Sequence, residues 1–438
     1  MVVCHLFLQH LTSSLLAVAF LSSFGSSMLY GYNLAVVNSP AEYIKDFYNQ
    51  TIVRRNGSGV DEETLTLIYS VTVSIFAIGG LVGSLTVGMQ VTRFGRRGTL
   101  VHSTVLVFIA GGLMGFSRLC GSPEMIIIGR FIIGIHSGIS LSVVPMYLGE
   151  IAPKNFRGFL GLVPSIFICI GVFIAQILGL HEILGKEEHW PLFLSLVVVP
   201  TFIQLMLLPW FPESPRYLLM EKRNIHATIT ALKWYRAKCN IQAEVEEMQE
   251  EQRSLSSIET VSVLQLFRDP SVRWQIVTVL VVNAGMQLSK WGSKISYTHQ
   301  GSEFIVACVV GIIAGFCIGP AGVPFLMTGE LFKQSHRPSA YIVGGFVNWI
   351  SNFTVGFVFP FLQATGAFCY LVFCGVCVGV AAYVFFITPE TKNKTFVEIS
   401  QMFASRNACE VENQPLGTTD QLRLKNMNGY GALVGVRL

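Results

Sequence analysis

Two stretches of the chain, VPMYLGEIAPKNFRG (residues 144–158) and VPFLMTGELFKQSHRP (residues 323–338), follow one pattern. In each stretch a glutamate precedes an arginine by seven residues, and the corresponding glutamates and arginines of the two copies are 180 residues apart. The recurrence predicts a chain made of two similar halves that run in the same direction. The residues concerned are Glu150 and Arg157 in the first copy, and Glu330 and Arg337 in the second.

A second pair of stretches supports the repeat. FPESPR (211–216) resembles TPETK (388–392), which places Glu213 and Glu390 177 residues apart. Parallel repeats of this kind are typical of one class of membrane transporters. A carboxylate and an arginine at the ends of helices could pair and hold the two halves closed on one side. The alternative is that these charges only end helices at the membrane surface.

The composition indicates a membrane protein. Of the 438 residues, 52% are hydrophobic and 13% are charged, whereas soluble domains carry about 25% charged residues. The net charge of +4 is small, and the basic residues form short clusters between apolar runs, which argues against a nucleic-acid surface. The 10 cysteines have neither zinc-ligand nor disulfide-framework spacing, so we interpret them as small hydrophobic residues.

Apolar runs of about 20 residues, enough to cross a bilayer, predict ten membrane spans and an all-α fold. The alternative for the first run is a secretory signal. We predict an N-terminal six-helix bundle (1–211), a cytoplasmic helical linker (212–272), a shortened C-terminal bundle (273–403) and a disordered cytoplasmic tail (404–438). The predicted spans are 11–33, 66–89, 99–117, 123–144, 159–180, 191–211, 274–289, 304–326, 338–361 and 367–388.

Basic residues in short loops predict the orientation of the spans. Loop 90–98 carries Arg93, Arg96 and Arg97, and we assign it to the cytoplasm together with both termini. The long loop 34–65 then lies outside the cell. It contains two glycosylation acceptor triplets, which begin at Asn49 and Asn56.

The second half is shorter than the first. Four spans precede Glu150, but only two lie between Arg273 and Glu330. The polar stretch 290–303 therefore stands where about two further helices and a basic loop would be expected. Loss of a pair of helices preserves the direction of every later helix.

The chain resembles the facilitative sugar transporters of the major facilitator superfamily (solute carrier family 2). The class II, fructose-type branch fits best for two reasons. The motif YGYN in the first span is followed by VVNSP, and Phe325 after GPAGVP stands where glucose-type members carry tryptophan. The resemblance implies two six-helix bundles with one solute site between them. It rests on TRFGRR, GRFIIGIHSG, PMYLGEIAPKNFRG, FPESPRYLL, QLS, IGPAGVPF, RPSA, NWISNF and PETKNKTFVEI.

The resemblance also implies functional residues. Ser165, Met286 and Phe316 depart from the family pattern, and Phe316 stands where fructose-specific members carry histidine. The implied sugar-binding residues are Tyr30, Gln176, Gln287, Asn348, Trp349 and Asn352. The candidate gating residues are Arg93, Arg96, Arg97, Arg130, Glu150, Arg157, Glu213, Arg216, Glu330, Arg337 and Glu390.

Neutral amides and rings suit a sugar, because amides both donate and accept hydrogen bonds and rings cover its apolar face. Each amide could instead join two helices by a hydrogen bond, and Trp349 could be an anchor at the membrane surface. We expect His136 to be packed. The glycine-rich stretches GIHSG and GGLVG (79–83) are expected to be helix-packing faces.

These residues predict facilitated (uniport) transport of a hexose, fructose or glucose, with urate as a further alternative. Asn33 stands where proton-coupled relatives carry an aspartate, and no P-loop motif for ATP is present. We expect no enzyme activity, cofactor, metal or nucleic-acid partner. The expected partners are a sugar and the plasma-membrane bilayer. The sequence does not predict the oligomeric state. The competing hypotheses are a shortened, transport-deficient relative that folds poorly or associates with a full-length transporter, and a sugar receptor.

Overall fold

The computed structural model describes residues 12–153, 156–236, 241–255, 261–289, 327–328, 331–332, 336–363, 368–389 and 402–403. Every regular element within these ranges is a helix, which confirms the all-α expectation. In the first half the helices are α1 (Ser13–Ala35), α2 (Ala41–Asn56), α3 (Glu62–Cys120), α4 (Pro123–Ile151), α5 (Arg157–Leu178), α6 (Trp190–Ser195) and α7 (Val198–Leu207). The later helices are α8 (Pro215–Met220), α9 (Ile225–Arg236), α10 (Gln242–Leu255), α11 (Val263–Arg268), α12 (Arg273–Ser289), α13 (Arg337–Gln363) and α14 (Phe368–Ile387).

Six helical stretches of the described residues are long and apolar enough to cross a membrane. They confirm the predicted spans of the first half and the span 338–361. The stretches are Ser13–Ala35, Glu62–Cys120, Pro123–Ile151, Gly158–Leu178, Trp190–Trp210 and Ser339–Val358. The predicted span 304–326 and the tail 404–438 lie outside the described residues, and the four domain boundaries stay predictions.

Helix α3 has 59 residues and contains two spans, separated by a break at Gly95. The expected loop 90–98 is therefore wrong: this stretch is helical except at Gly95. Its backbone there has φ 81° and ψ −179°, a conformation that favours glycine. We call residues 62–94 the first arm of α3 and residues 96–120 the second arm.

Local signals in the sequence explain where α3 and α4 begin and end. Asp61 caps the start of α3, because its carboxylate accepts the backbone N–H of Thr64 at 3.1 Å. Gly121 ends α3 in the left-handed conformation, and Pro123 opens α4 at a position that needs no N–H donor.

Glycines bring the first arm of α3 and helix α4 into close contact. A Cβ atom on Gly79 would lie 2.1 Å from the carbonyl oxygen of Phe131, and one on Gly138 would lie 2.1 Å from that of Gly80. These positions confirm that the two glycine-rich stretches form a packing face. His136 of α4 faces the second arm of α3 instead; it is fully buried, and its ring nitrogens are 3.2 Å from the Ser103 carbonyl oxygen and 3.1 Å from the Ser140 hydroxyl.

Two features of the first half differ from the expectation. The outer segment 34–65 is not simply a loop, because it contains helix α2. Cys169 on α5 is disulfide-bonded, whereas we expected a small hydrophobic residue. Within the predicted helical linker 212–272 lie the helices α8, α9, α10 and α11.

The second half is held together around α12. A Cβ atom on Gly344 of α13 would lie 3.3 Å from the Asn283 amide nitrogen, and one on Gly285 would lie 2.8 Å from Val380 of α14. The two halves meet where α13 packs on the first arm of α3. At that contact a Cβ atom on Gly80 would lie only 2.2 Å from the Trp349 ring.

Candidate solute site and charged network

Aromatic and amide side chains from both halves meet where α13 crosses α1 and α3. The indole of Trp349 lies edge-on to Tyr30, with ring centroids 5.8 Å apart, and 6.1 Å from Phe76. The Asn352 amide nitrogen is 3.5 Å from the Tyr30 hydroxyl. Three of the predicted sugar-binding residues, Tyr30, Trp349 and Asn352, are thus in mutual proximity.

Trp349 is buried between the halves and is not a surface anchor. Its side chain is 1% exposed, and the indole N–H donates to the Ser84 hydroxyl at 2.7 Å. A buried tryptophan needs such an acceptor. Neither Ser84 nor Phe76 was among the residues predicted from the sequence, because their contacts with Trp349 arise only in the tertiary structure.

Gln287 and Asn348 form a second pair, between α12 and α13. The Gln287 amide donates to the Asn348 side-chain oxygen, and both residues are buried. The Asn348 side-chain nitrogen has no hydrogen-bond partner among the described residues. Leaving a buried donor unpaired costs about 1–3 kcal/mol, so this nitrogen is the clearest vacant hydrogen-bonding position of the cluster.

Gln176 is not joined to this cluster. It is half-buried near the end of α5, and its side chain makes no hydrogen bond to another described residue. Helix α5 itself packs closely on α1, because a Cβ atom on Gly171 would lie 2.0 Å from the Met28 carbonyl oxygen. A further buried amide, that of Asn283 on α12, donates to the Val279 carbonyl oxygen of its own helix at 2.8 Å.

The break at Gly95 is occupied by one carboxylate. Glu213 accepts the backbone N–H groups of Arg96, Arg97 and Gly98 at 2.9, 2.9 and 3.1 Å. These groups are the unpaired donors at the start of the second arm, where a helix attracts negative charge. Glu213 therefore joins the segment before α8 to the break in α3.

Arg96 forms two salt bridges in this network. Its guanidinium lies 2.9 Å from the carboxylate of Glu150 at the end of α4 and 2.6 Å from that of Glu221. The Ser214 hydroxyl donates to the other oxygen of Glu150. Ser214 and Glu221 were not among the candidate residues, although Ser214 lies within the FPESPRYLL stretch and Glu221 lies two residues after its end.

Apart from Arg130, the remaining candidate gating residues divide into three groups. Arg97 donates to the Phe211 carbonyl oxygen at 2.7 Å and lies 4.0 Å from Glu213, and Arg216 acts on Glu150 electrostatically. Arg93 is exposed beside the network. Residues Glu330 and Glu390, and the side chains of Arg157 and Arg337, lie outside what the structure describes.

Arg130 lies inside the first bundle and not at the charged end. Its guanidinium is 1% exposed, donates to the Asn33 carbonyl oxygen at 3.0 Å and lies 3.3 Å from the Asn33 amide oxygen. It also stacks on Phe76 at 4.6 Å. The ring of Phe76 thus separates this cation from Tyr30 and Trp349.

Tyr235 and Arg236, which lie outside the membrane spans, attach α9 to the end of the first bundle that carries the charged network. The Tyr235 hydroxyl lies 2.7 Å from the Pro212 carbonyl oxygen and 2.8 Å from the Tyr147 hydroxyl. Burial raises the pKa of Tyr235. Arg236 donates to the Ile151 carbonyl oxygen at 2.7 Å and pairs with Glu244 at 2.6 Å.

The two predicted glycosylation acceptors differ in exposure. Asn56 is exposed at the end of α2, next to Gly57, which has open space around it. Asn49 is half-buried within α2, and its side-chain oxygen accepts the Val60 N–H at 3.3 Å.

Comparisons with known proteins agree with this architecture. The family model "Sugar (and other) transporter" matches residues 18–300 and 293–403. The inward-open xylose transporter XylE from E. coli has a similar fold, with a TM-score of 0.66 and 21% identity over 89% of this chain and 99% of that one. The fold is therefore that of a major facilitator membrane transporter.

Relatives in solute carrier family 2 are more similar in sequence. Facilitated glucose transporter member 9 of Homo sapiens is 44% identical over 464 residues, covering 90% of this chain and 86% of that protein. Member 5 of Bos taurus is 41% identical over 467 residues, covering 91% and 93%. The chain belongs to the sugar transporter family, within solute carrier family 2 and the branch of members 5 and 9.

The comparisons also agree with a shortened second half. The alignment with member 9 spans 464 positions, whereas 90% of 438 residues is about 394, so about 70 positions have no counterpart in this chain. The family model breaks at residues 293–300, within the stretch where two helices are expected to be missing. Two spans of about 20 residues with their loops account for a gap of this size.

Proposed function

We propose that the chain is a facilitative carrier that moves a hexose across a membrane by alternating access. The observation that carries the proposal is the uncharged polar cluster at the contact of the two halves. Tyr30, Asn348, Trp349 and Asn352 offer amide and hydroxyl groups beside aromatic rings, as a sugar requires. The names of the relatives, which are facilitated glucose transporters, support the same class of solute.

Uniport is supported by the partner of Arg130. Its guanidinium pairs with the neutral amide of Asn33, so no carboxylate at this position can bind and release a proton. A carrier without such a group has no built-in coupling between proton and sugar movement at this site.

The charged network around Gly95 supports a gating role for its residues. Arg96 and Glu213 join the break in α3 to the ends of α4 and α8 at one end of the first bundle. We place this end in the cytoplasm of a plasma-membrane protein, together with both termini, because its basic residues follow the positive-inside rule. Detection of a C-terminal epitope tag on intact cells would contradict this orientation.

A second candidate function is that of a shortened relative without transport activity, which folds poorly or associates with a full-length transporter. The gap of about 70 aligned positions favours it, because the loss of two helices removes neighbours of the remaining ones. Polar groups left facing lipid would cost several kcal/mol each.

One experiment separates the two candidates and identifies the solute. Radiolabelled fructose, glucose and urate uptake would be measured in oocytes, with surface expression quantified in parallel. Saturable uptake of a hexose supports the carrier, and uptake of urate alone would replace the hexose by urate. Normal surface expression without uptake, or retention inside the cell, supports the second candidate.

A further inference from the structure

The three arginines around the Gly95 break have different surroundings. Arg96 has two carboxylate partners, and Arg97 donates to backbone carbonyls. Arg93 is exposed and forms no ion pair with any described residue. Its charge is thus not used by the network beside it.

Arg93 belongs to an exposed stack of three side chains. Its guanidinium carbon lies 5.4 Å from the ring centroid of Phe94, an aromatic side chain that is 41% exposed. The other neighbour of Phe94 is His102, with ring centroids 4.6 Å apart and planes inclined by 28°. His102 Nδ1 lies 2.7 Å from the Gly98 carbonyl oxygen, so this nitrogen is the donor and Nε2 remains for a ligand.

The stack lies where two apolar helix surfaces end. On the first arm of α3, Leu85 and Met89 are 61% and 71% exposed; on the second arm, Val105 and Ile109 are 56% and 48% exposed. Spacings of four residues place each pair on one helix face, which in a membrane protein faces lipid. At 1.5 Å per residue, the stack begins about 5–6 Å beyond these side chains, at the level of lipid head groups.

We propose that Arg93, Phe94 and His102 bind the head group of an acidic phospholipid. A guanidinium forms strong paired hydrogen bonds with phosphate, and the flanking apolar surfaces accept the acyl chains. The orientation under the proposed function places the stack in the cytoplasmic leaflet, which is rich in anionic lipids. A soluble phosphate would use the same cation but would gain nothing from the apolar surfaces.

The test uses the purified full chain in neutral detergent and native mass spectrometry. The probes are a short-chain phosphatidylserine, the matching phosphatidylcholine and inorganic phosphate. We expect saturable retention of phosphatidylserine only. In Arg93→Gln its apparent Kd should rise about tenfold or more, which corresponds to a loss of about 1.4 kcal/mol in binding free energy. Arg268→Gln, which removes another exposed arginine, at the end of α11, is the matched control and should bind as the unchanged chain does.

Several outcomes would overturn the proposal. Equal binding by Arg93→Gln and Arg268→Gln would mean that Arg93 serves only as an orientation charge. Equal retention of inorganic phosphate would identify a soluble anion site instead of a lipid site. Phe94→Ala and His102→Gln should each weaken phosphatidylserine binding, whereas unchanged binding in both would exclude the stack. Because these readouts measure lipid and not sugar, they do not depend on whether the chain transports.

Discussion

The side-chain nitrogen of Asn352 lies 3.5 Å from the hydroxyl oxygen of Tyr30, which joins α13 of the second half to α1 of the first. The same two helices are bridged by the edge-on contact of Trp349 with Tyr30 at 5.8 Å. A solute held at this point touches both halves, so relative movement of the halves would change its surroundings. This relationship underlies the predictions on the solute site.

Gln287→Ala and Asn348→Ala should each weaken sugar binding by the purified chain about 3- to 10-fold, the effect of losing one hydrogen bond. Because the two side chains bond to each other, the double variant should lose less than the sum of both effects. Titration of intrinsic fluorescence with fructose and glucose measures binding without requiring transport. Strictly additive losses would show that the pair does not act as a unit, and Asn283→Ala, whose amide bonds within its own helix, is the control.

Gly80→Ala should lower the thermal stability of the chain, by about 1–3 kcal/mol, because overpacking forces Trp349 away from the first arm of α3. Thermal unfolding of the purified protein measures the effect. Gly88→Ala on the same arm brings the added carbon within 4 Å of no atom beyond its own stretch of helix, and it should leave the midpoint unchanged or raise it. If both variants shift the midpoint equally, the contact between α13 and α3 is not tight.

Glu213→Ala should destabilise the chain by about 1 kcal/mol or more, since three N–H groups at the start of the second arm lose their acceptor. Glu213→Gln keeps an acceptor oxygen but loses the charge, and we expect an intermediate loss. Thermal unfolding ranks the three proteins. Glu182→Ala, which removes an exposed carboxylate elsewhere, should have no effect, and an equal loss there would refute the capping role.

Insertion of the corresponding segment of member 5 of Bos taurus between residues 293 and 300 should create or increase hexose uptake. The insertion restores the neighbours that the gap of about 70 positions removes. Uptake normalised to surface expression is the measurement, with a flexible polar insert of equal length as the control. A chain that transports equally with and without the insert would show that the missing helices are dispensable.

Much of this architecture is predictable because membrane spans follow from local hydropathy. The lengths of α1, α4 and α5 follow from apolar runs, and the shortened second half follows from counting spans between repeated Glu–Arg patterns. The ion-pair partners of individual side chains depend on tertiary contacts and do not follow from local hydropathy. Repetition suggested that Glu150 pairs with an arginine, but not that the described partner is Arg96, which approaches only because the chain turns at Gly95.

The candidate solute site likewise contains some residues that were predicted from the sequence and others that were not. The resemblance supplied Tyr30, Trp349 and Asn352, and the structure brings them together. Ser84 could not be inferred, because a serine on a glycine-rich face has no signal that separates a hydrogen-bond acceptor from a small packing residue. Similarly, Arg130 was predicted as a gating residue together with the arginines at the helix ends, and only its burial against Asn33 distinguishes it from them.

The neutral partner of Arg130 has an energetic consequence for a cell that contains this carrier. With an amide at Asn33 and no exchangeable proton at that position, uptake under the proposed mechanism would draw on neither the pH gradient nor the membrane voltage. Net flow would stop once the concentrations of solute on the two sides became equal, and would reverse if the inner one rose further. Continued entry would then depend on metabolism that removes the solute from the cytoplasm.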